Sequence, residues 1–224
     1  MAKFSVDGVI YKIQNNEAFV CGLDDPVHTH NVMIPGMVQG CPVTEIKHRA
    51  FWNSNLRTII LPQSIIAIDD SAFDNCKKLI EIHQLGEHHK RVITIGSCAF
   101  HNCVKLRTVI FARDMLLVGE RHFAGCRNLK MLPSICGVSS FKKYAFLDCV
   151  TLEELTFVGP SKMSVEDDAF INCPKLKKFI FCCKVIPSQY LLQLLYNAVV
   201  FVNPEAKDML DLFFNGYDVR FIPA

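Results

Sequence analysis

The chain carries no excess of either charge: 24 Lys and Arg stand against 22 Asp and Glu over 224 residues, a formal net charge of +2. Without dense basic runs it offers no track for a phosphate backbone, so no nucleic acid is expected among its partners. Long apolar runs are missing as well. No stretch approaches the roughly 18 uninterrupted apolar residues of a spanning helix, so no membrane insertion is expected. Met1-Ala2-Lys3 leads into Phe4-Ser5-Val6-Asp7-Gly8, which turns polar before the apolar core of a signal peptide could form. As it stands the chain is expected to be cytoplasmic, unless a signal was removed. Familiar catalytic signatures are missing too: there is no Gly-x-Ser-x-Gly elbow, no phosphate-binding loop and no His-Glu-x-x-His pair. Neither catalytic residues nor a cofactor are expected.

Repetition is what the chain has in quantity. One unit reads Ala72-Phe73-x-x-Cys76-x-x-Leu79 and returns around Phe100, Phe123, Phe146 and Phe170, with a worn first copy at Ala50-Phe51 followed by Leu56. From Phe51 through Phe73, Phe100, Phe123, Phe146 and Phe170 the steps are 22, 27, 23, 23 and 24 residues. That period belongs to a solenoid rather than to a compact enzyme fold. Five of the eleven cysteines, Cys76, Cys103, Cys126, Cys149 and Cys173, share one repeat position. There a free thiol acts as a small buried hydrophobe, and stacked copies point in parallel rather than at one another. A reduced structural ladder is the expectation.

Aligned on Phe, further apolar columns emerge. Five residues before it stand Ile46, Ile68, Ile95, Val118, Phe141 and Val165. Nine residues after it stand Ile82, Val109, Leu132, Leu155 and Phe179, with Ile59 one position early because the first copy is short. Alternation at period two around them, clearest in Leu106-Arg107-Thr108-Val109-Ile110-Phe111, predicts one half-buried strand per unit. No unit buries both faces alone, but a stack shares one core. At the start, Val9 to Ile13 and Ala18 to Val20 flank a Gln14-Asn15-Asn16 turn, which predicts a β-hairpin cap. At the end, Ser188 to Ala198 has helical spacing, Val199 to Val202 reads as a strand, and Asn203, Pro204 and Gly216 bracket a second helix over 205–215. Val219 to Ile222 is the expected final strand.

The string Ile-x-x-x-Ala-Phe-x-x-Cys-x-x-Leu-x-x-Val-x-Phe, with Pro after some strands, resembles the BspA-like (bacterial surface antigen A-like) leucine-rich repeat. The segments Phe4-x-x-Asp7-Gly8-x-x-Tyr11-x-Ile13 and Phe201-Val202-Asn203-Pro204 also resemble that family's ends. The resemblance implies a β-rich α/β fold: a right-handed leucine-rich-repeat solenoid with a hairpin cap and a helix-containing cap. It implies one domain, with residues 1–26 and 184–224 as caps and 27–183 as repeats. It also implies a non-enzymatic scaffold for surface adhesion or host-protein binding, located at the cell surface or secreted. An intracellular binding or effector protein of the same fold is the alternative, and an enzyme using Cys or a bound metal is a third. His122 departs from the pattern, standing where the other copies place Ala before Phe.

On such a scaffold the strand sheet, expected on the concave side, offers the binding surface. One outward residue lies between the two inward residues of each strand: Met33, Ile60, His83, Ile110, Pro133, Thr156 and Ile180. Beside it run Thr58, Glu81, Thr108, Met131, Glu154 and Lys178. An apolar stripe with a polar rim suits a protein or peptide ligand. The competing account is that β-branched residues merely suit strands. The chain is expected to be a monomer. His83, His88 and His89 near the insertion Gln84 to Arg91, and the pair His28 and His30, lack metal-ligand spacing, so a solvated recognition loop is expected there. Cys182-Cys183 reads as one buried and one exposed thiol. Leu191-x-x-Leu194-Leu195 matches a helix-docking motif, but packing against the end of the repeats accounts for it better.

Overall fold

The computed structural model describes residues 3–86, 89–111, 113–115, 119–132, 135–136, 140–158, 164–181, 189–202 and 217–221. Each coil is organised by the bend around its Phe. Two residues before that Phe, Arg49, Ser71, Cys98, Arg121, Tyr144 and Asp168 have φ between 53° and 67°. Two residues after it, Asn53, Asn75, Asn102, Gly125, Asp148 and Asn172 have φ between 56° and 77°. The second column holds only Asn, Asp and Gly, the residues that enter the left-handed region most readily. The chain therefore turns sharply on both sides of the Phe and drives its ring inward.

Those rings form a continuous spine. Phe51, Phe73, Phe100, Phe123, Phe146 and Phe170 stack with centroid separations of 5.0, 5.4, 5.3, 5.4 and 5.3 Å, near parallel throughout. Backbone bonds follow the same path. The amides of Phe51, Phe73, Phe100, Phe123 and Phe146 donate to the carbonyls of Ala72, Ala99, His122, Ala145 and Ala169 in the following coil, at 2.8–3.0 Å. At the last coil the Phe170 amide donates instead to the Tyr190 hydroxyl at 3.2 Å. That residue lies in the helix Gln189–Leu195, whose Leu191 and Leu195 are fully buried. The Leu-x-x-Leu-Leu segment is thus spent on packing.

The cysteine ladder carries more than the expected packing. Each thiol donates to the carbonyl of the Phe one coil earlier: Cys76 to Phe51, Cys103 to Phe73, Cys126 to Phe100, Cys149 to Phe123 and Cys173 to Phe146, at 2.8–3.2 Å. All five are free. Burial raises the pKa of Cys103, Cys126 and Cys149, and pushes that of Cys173 up to about 12, which keeps them protonated as donors. In the worn first copy Ser54 takes the same place, 3% exposed and 3.5 Å from the Cys76 sulfur.

Opposite the bends run the strands. Asn31–Met33, Thr58–Leu61, Glu81–Gln84 and Thr108–Ile110 pair in parallel as one four-stranded sheet. Glu154–Val158, Lys178–Phe181, Val199–Val202 and Asp218–Phe221 pair in parallel in another. Inward residues Val32, Ile59, Ile82 and Val109 share a register row, so Ile59 does fill the expected core position despite the short first copy. At the N-terminal end Phe4–Val6, Val9–Gln14 and Glu17–Leu23 are antiparallel, and the last of these pairs in parallel with Cys41–Ile46. Asn15 and Asn16 both adopt positive φ, as the tight hairpin turn requires. The expected second helix over 205–215, Cys182-Cys183, Val118 and His88 lie outside the described residues.

Candidate protein-binding face

The strand registers decide which outward side chains are neighbours. Met33, Ile60, His83 and Ile110 occupy one row across the first sheet, with Asn31, Thr58, Glu81 and Thr108 in the row beside it. In the second sheet Thr156, Ile180, Phe201 and Arg220 form the matching row, flanked by Glu154, Lys178, Val199 and Asp218. Met131 joins that flank through a single parallel bridge to Glu154. Pro133, expected between the two blocks, lies outside the described residues. Exposure is uneven along the row: Met33 is 65% and Ile110 38% exposed, while Ile60, His83, Thr156 and Ile180 are half-buried by their neighbours.

Sequence columns aligned on Phe stop at the last repeat and so miss Phe201 and Arg220. The signal was present, because Val199 to Val202 has the same alternation as the repeat strands. Phe201 carries a specific contact: the Lys178 ammonium sits 5.2 Å from its ring centroid and 2.7 Å from the Glu154 carboxylate. A cation placed over a ring and against a carboxylate holds this end of the face in one arrangement. In the first block Thr58 donates to Asn31 at 2.8 Å and His83 lies 3.8 Å from Glu81.

One junction between coils differs from the rest. Just ahead of the strands, the amide of each coil donates to the carbonyl one coil earlier: Arg57 to His30, Ile80 to Arg57, Arg107 to Ile80, Glu153 to Lys130, Lys177 to Glu153 and Val199 to Lys177, at 2.6–3.2 Å. The step from Lys130 to Arg107 is missing from that series. Among the described residues no backbone hydrogen bond and no strand pairing joins 107–110 to 130–132. Lower down the same two coils remain together, with Asn128 donating to the Val104 carbonyl at 2.7 Å and Phe100 stacked on Phe123. The coils therefore part on the strand face while staying joined at the bend. The opening is a cleft of 680 Å³ lined by Arg107, Thr108, Val109, Ile110, Asn128, Lys130, Met131 and Thr151.

Among the described residues no group of three or more His, Cys, Asp or Glu side chains is placed to hold a metal ion. His28 is bonded to Asp25 at 2.8 Å. His122 is fully buried against the Phe100 and Phe123 rings, and burial depresses its pKa to about 3. Its Nδ1 accepts from the Gly119 amide at 3.1 Å.

A periodic Phe spine, parallel strands repeated from coil to coil and a thiol ladder define a leucine-rich repeat of a particular kind. The profile described as the BspA type leucine rich repeat region, with six copies, matches residues 39–90 and 86–191. The chain belongs to the BspA-type leucine-rich repeat family. No curated protein matches it. Among solved structures it is similar to the leucine rich repeat protein of T. pallidum, at 23% identity over 100% of both chains with a TM-score of 0.66. It is also similar to a leucine rich cell surface protein from Faecalibacterium prausnitzii A2-165, at 21% identity and a TM-score of 0.63, covering 81% of this chain. This BspA-type chain spans 55% of that protein's chain. A leucine-rich repeat protein from Eubacterium ventriosum gives 24% identity, a TM-score of 0.57, and coverage of 75% of this chain and 44% of its own. Such likenesses establish the fold, and repeat scaffolds of this fold serve mainly as interaction surfaces. No helix of the described residues is long and apolar enough to cross a membrane.

Proposed function

We propose that this BspA-type protein is a non-enzymatic scaffold that binds a protein or peptide through its strand face. The observation that carries the reading is the outward register row, Met33, Ile60, His83 and Ile110, continued in kind by Thr156, Ile180 and Phe201. Large apolar side chains recur there in register, beside a rim that includes Glu81, Glu154 and Lys178. That combination of apolar centre and polar edge is the usual anatomy of a recognition patch. The F. prausnitzii neighbour is a cell surface protein, and display at a cell surface is the setting we favour for this chain as well. A second setting, a reducing intracellular compartment, draws support from Cys21, Cys41 and Cys98, which are partly exposed and free.

The test is selection of ligands from a displayed peptide library on the wild-type protein, followed by counter-screening on Ile60→Glu with Ile180→Glu. Both positions are half-buried on the outward side, so the double variant should keep its thermal unfolding transition and lose the selected ligands. Ligands that bind the double variant equally well would place recognition elsewhere. Immunolabelling of intact and permeabilised cells separates the two settings.

A further inference from the structure

The parted junction has the chemistry of a strand-accepting site. At every other step of the series the later coil's amide points at the earlier coil's carbonyl. Here the Arg107 C=O and the Lys130 N–H, on two residues that line the cleft, have no backbone partner among the described residues. An extended peptide laid between them would donate to one and accept from the other, as in strand addition at a sheet edge. Val109, Ile110 and Met131 supply apolar wall, Met131 being 52% exposed.

Charge selects the kind of peptide. Among the described residues the lining contains two cations, Arg107 and Lys130, and no carboxylate. Both side chains are exposed, and neither has an ion-pair partner among the described residues. Lys175, Lys177 and Lys178 stand in the adjoining hollow with Glu153 and Glu154, where Lys178 already neutralises Glu154. The balance in the cleft itself is positive. We infer that the cleft between residues 107–110 and 130–131 binds an extended acidic peptide as an added strand. This deepens the strand-face reading and rests on it, since the cleft opens in the same face. Nucleic acid would answer the charge but not the paired backbone donor and acceptor.

The probe is a fluorescent eight-residue peptide of alternating aspartate and valine, followed by anisotropy with the full chain at low salt. Saturable binding is expected. Arg107→Glu with Lys130→Glu should weaken it by about tenfold or more, since like charges then face the ligand. The same peptide with N-methylated amides should lose a similar factor on the wild-type protein, where folding of a variant does not enter. Absence of saturable binding, equal binding of the N-methylated peptide, or equal binding of an oligodeoxynucleotide of matched charge would each overturn the proposal. Ile60→Glu with Ile180→Glu should leave this probe bound. Failure of the probe while library-selected ligands still depend on Ile60 and Ile180 sinks the cleft alone. Binding of the probe while those ligands ignore both positions sinks the wider face alone.

Discussion

The two edges of the solenoid are built from the same repeats but to different standards. Along the bends every junction from Phe51 to Phe170 has its ring stack and its thiol-to-carbonyl bond, and each Phe amide finds an acceptor. Along the strands the series breaks between Arg107 and Lys130. A stack needs only one continuous edge to stay registered, because each coil is fixed to the next by its neighbours. The bend edge carries cohesion, which leaves the strand edge free to diverge, and divergence is where a ligand can enter.

The sharpest way to break that division is to remove a ring from the spine. Phe100→Ala should cost about 3–5 kcal/mol, since the ring is fully buried against Phe73 and Phe123. Urea denaturation monitored by circular dichroism measures it. A comparable loss from an outward substitution such as Ile60→Ala would mean that cohesion is shared by both edges. Gly96→Ala is the next largest. A Cβ there would lie 2.4 Å from the Asp70 amide nitrogen and 2.8 Å from the Asp69 carbonyl carbon. Backbone cannot step aside as a flexible side chain can, so about 1–3 kcal/mol of strain is expected in the same assay.

How much of this was legible in the sequence differs between the edges for the same physical reason. The bend residues repeat because each must fit an identical neighbour, and a column of Phe and Cys announces itself. Even there chemistry was underread: treating Cys as a hydrophobe explained its burial but not the Phe carbonyl it serves, nor why Ser54 fits the first copy. The Asn, Asp and Gly column two residues past Phe encodes a left-handed turn, which only the backbone angles make plain. On the strand face Met33, Ile60, His83 and Ile110 share one register row, but continuity between Ile110 and Met131 is a property of backbone pairing. No residue type marks a rung that fails to form.

His122 tests the bend edge from within. Its ring is neutral in the fold, with burial as the cause of the depressed pKa, about 3 against an ordinary 6.5. The unfolded chain therefore binds the extra proton first, and acid favours unfolding. Stability should be unaffected above pH 6.5 and fall by roughly 1.4 kcal/mol per pH unit below it, until the buried ring itself titrates. His122→Ala, which restores the residue of the other copies, should remove that slope while carboxylate titration stays common to both proteins. Parallel melting curves for the two between pH 6.5 and 4.5 would show that the ring is reached by solvent. A smaller effect belongs to the thiol ladder. Cys149→Ala should cost about 1–2 kcal/mol, through lost packing and the lost bond to Phe123. Cys149→Ser keeps a donor and should fare better than Ala if the bond to the carbonyl matters, as Ser54 suggests. The reverse order in thermal melts would reduce the ladder to packing.

The smallest expected effect is the most discriminating for the strand edge. Arg107→Ala with Lys130→Ala should change stability by less than about 0.5 kcal/mol, in contrast to every bend substitution above. The two cations face an unclosed junction, are exposed and have no ion-pair partner among the described residues, so their removal unmakes no contact of the stack. Relief of their mutual repulsion could at most raise the melting temperature slightly, and added salt should erase the difference. The comparison with Lys178→Ala sharpens the point, because that ammonium holds Glu154 and Phe201 together in a sheet that is closed. If the Arg107 and Lys130 pair proved as costly to remove as Lys178, the parted junction would be part of the cohesive structure. If it costs nothing, the charge stands there for something other than the fold.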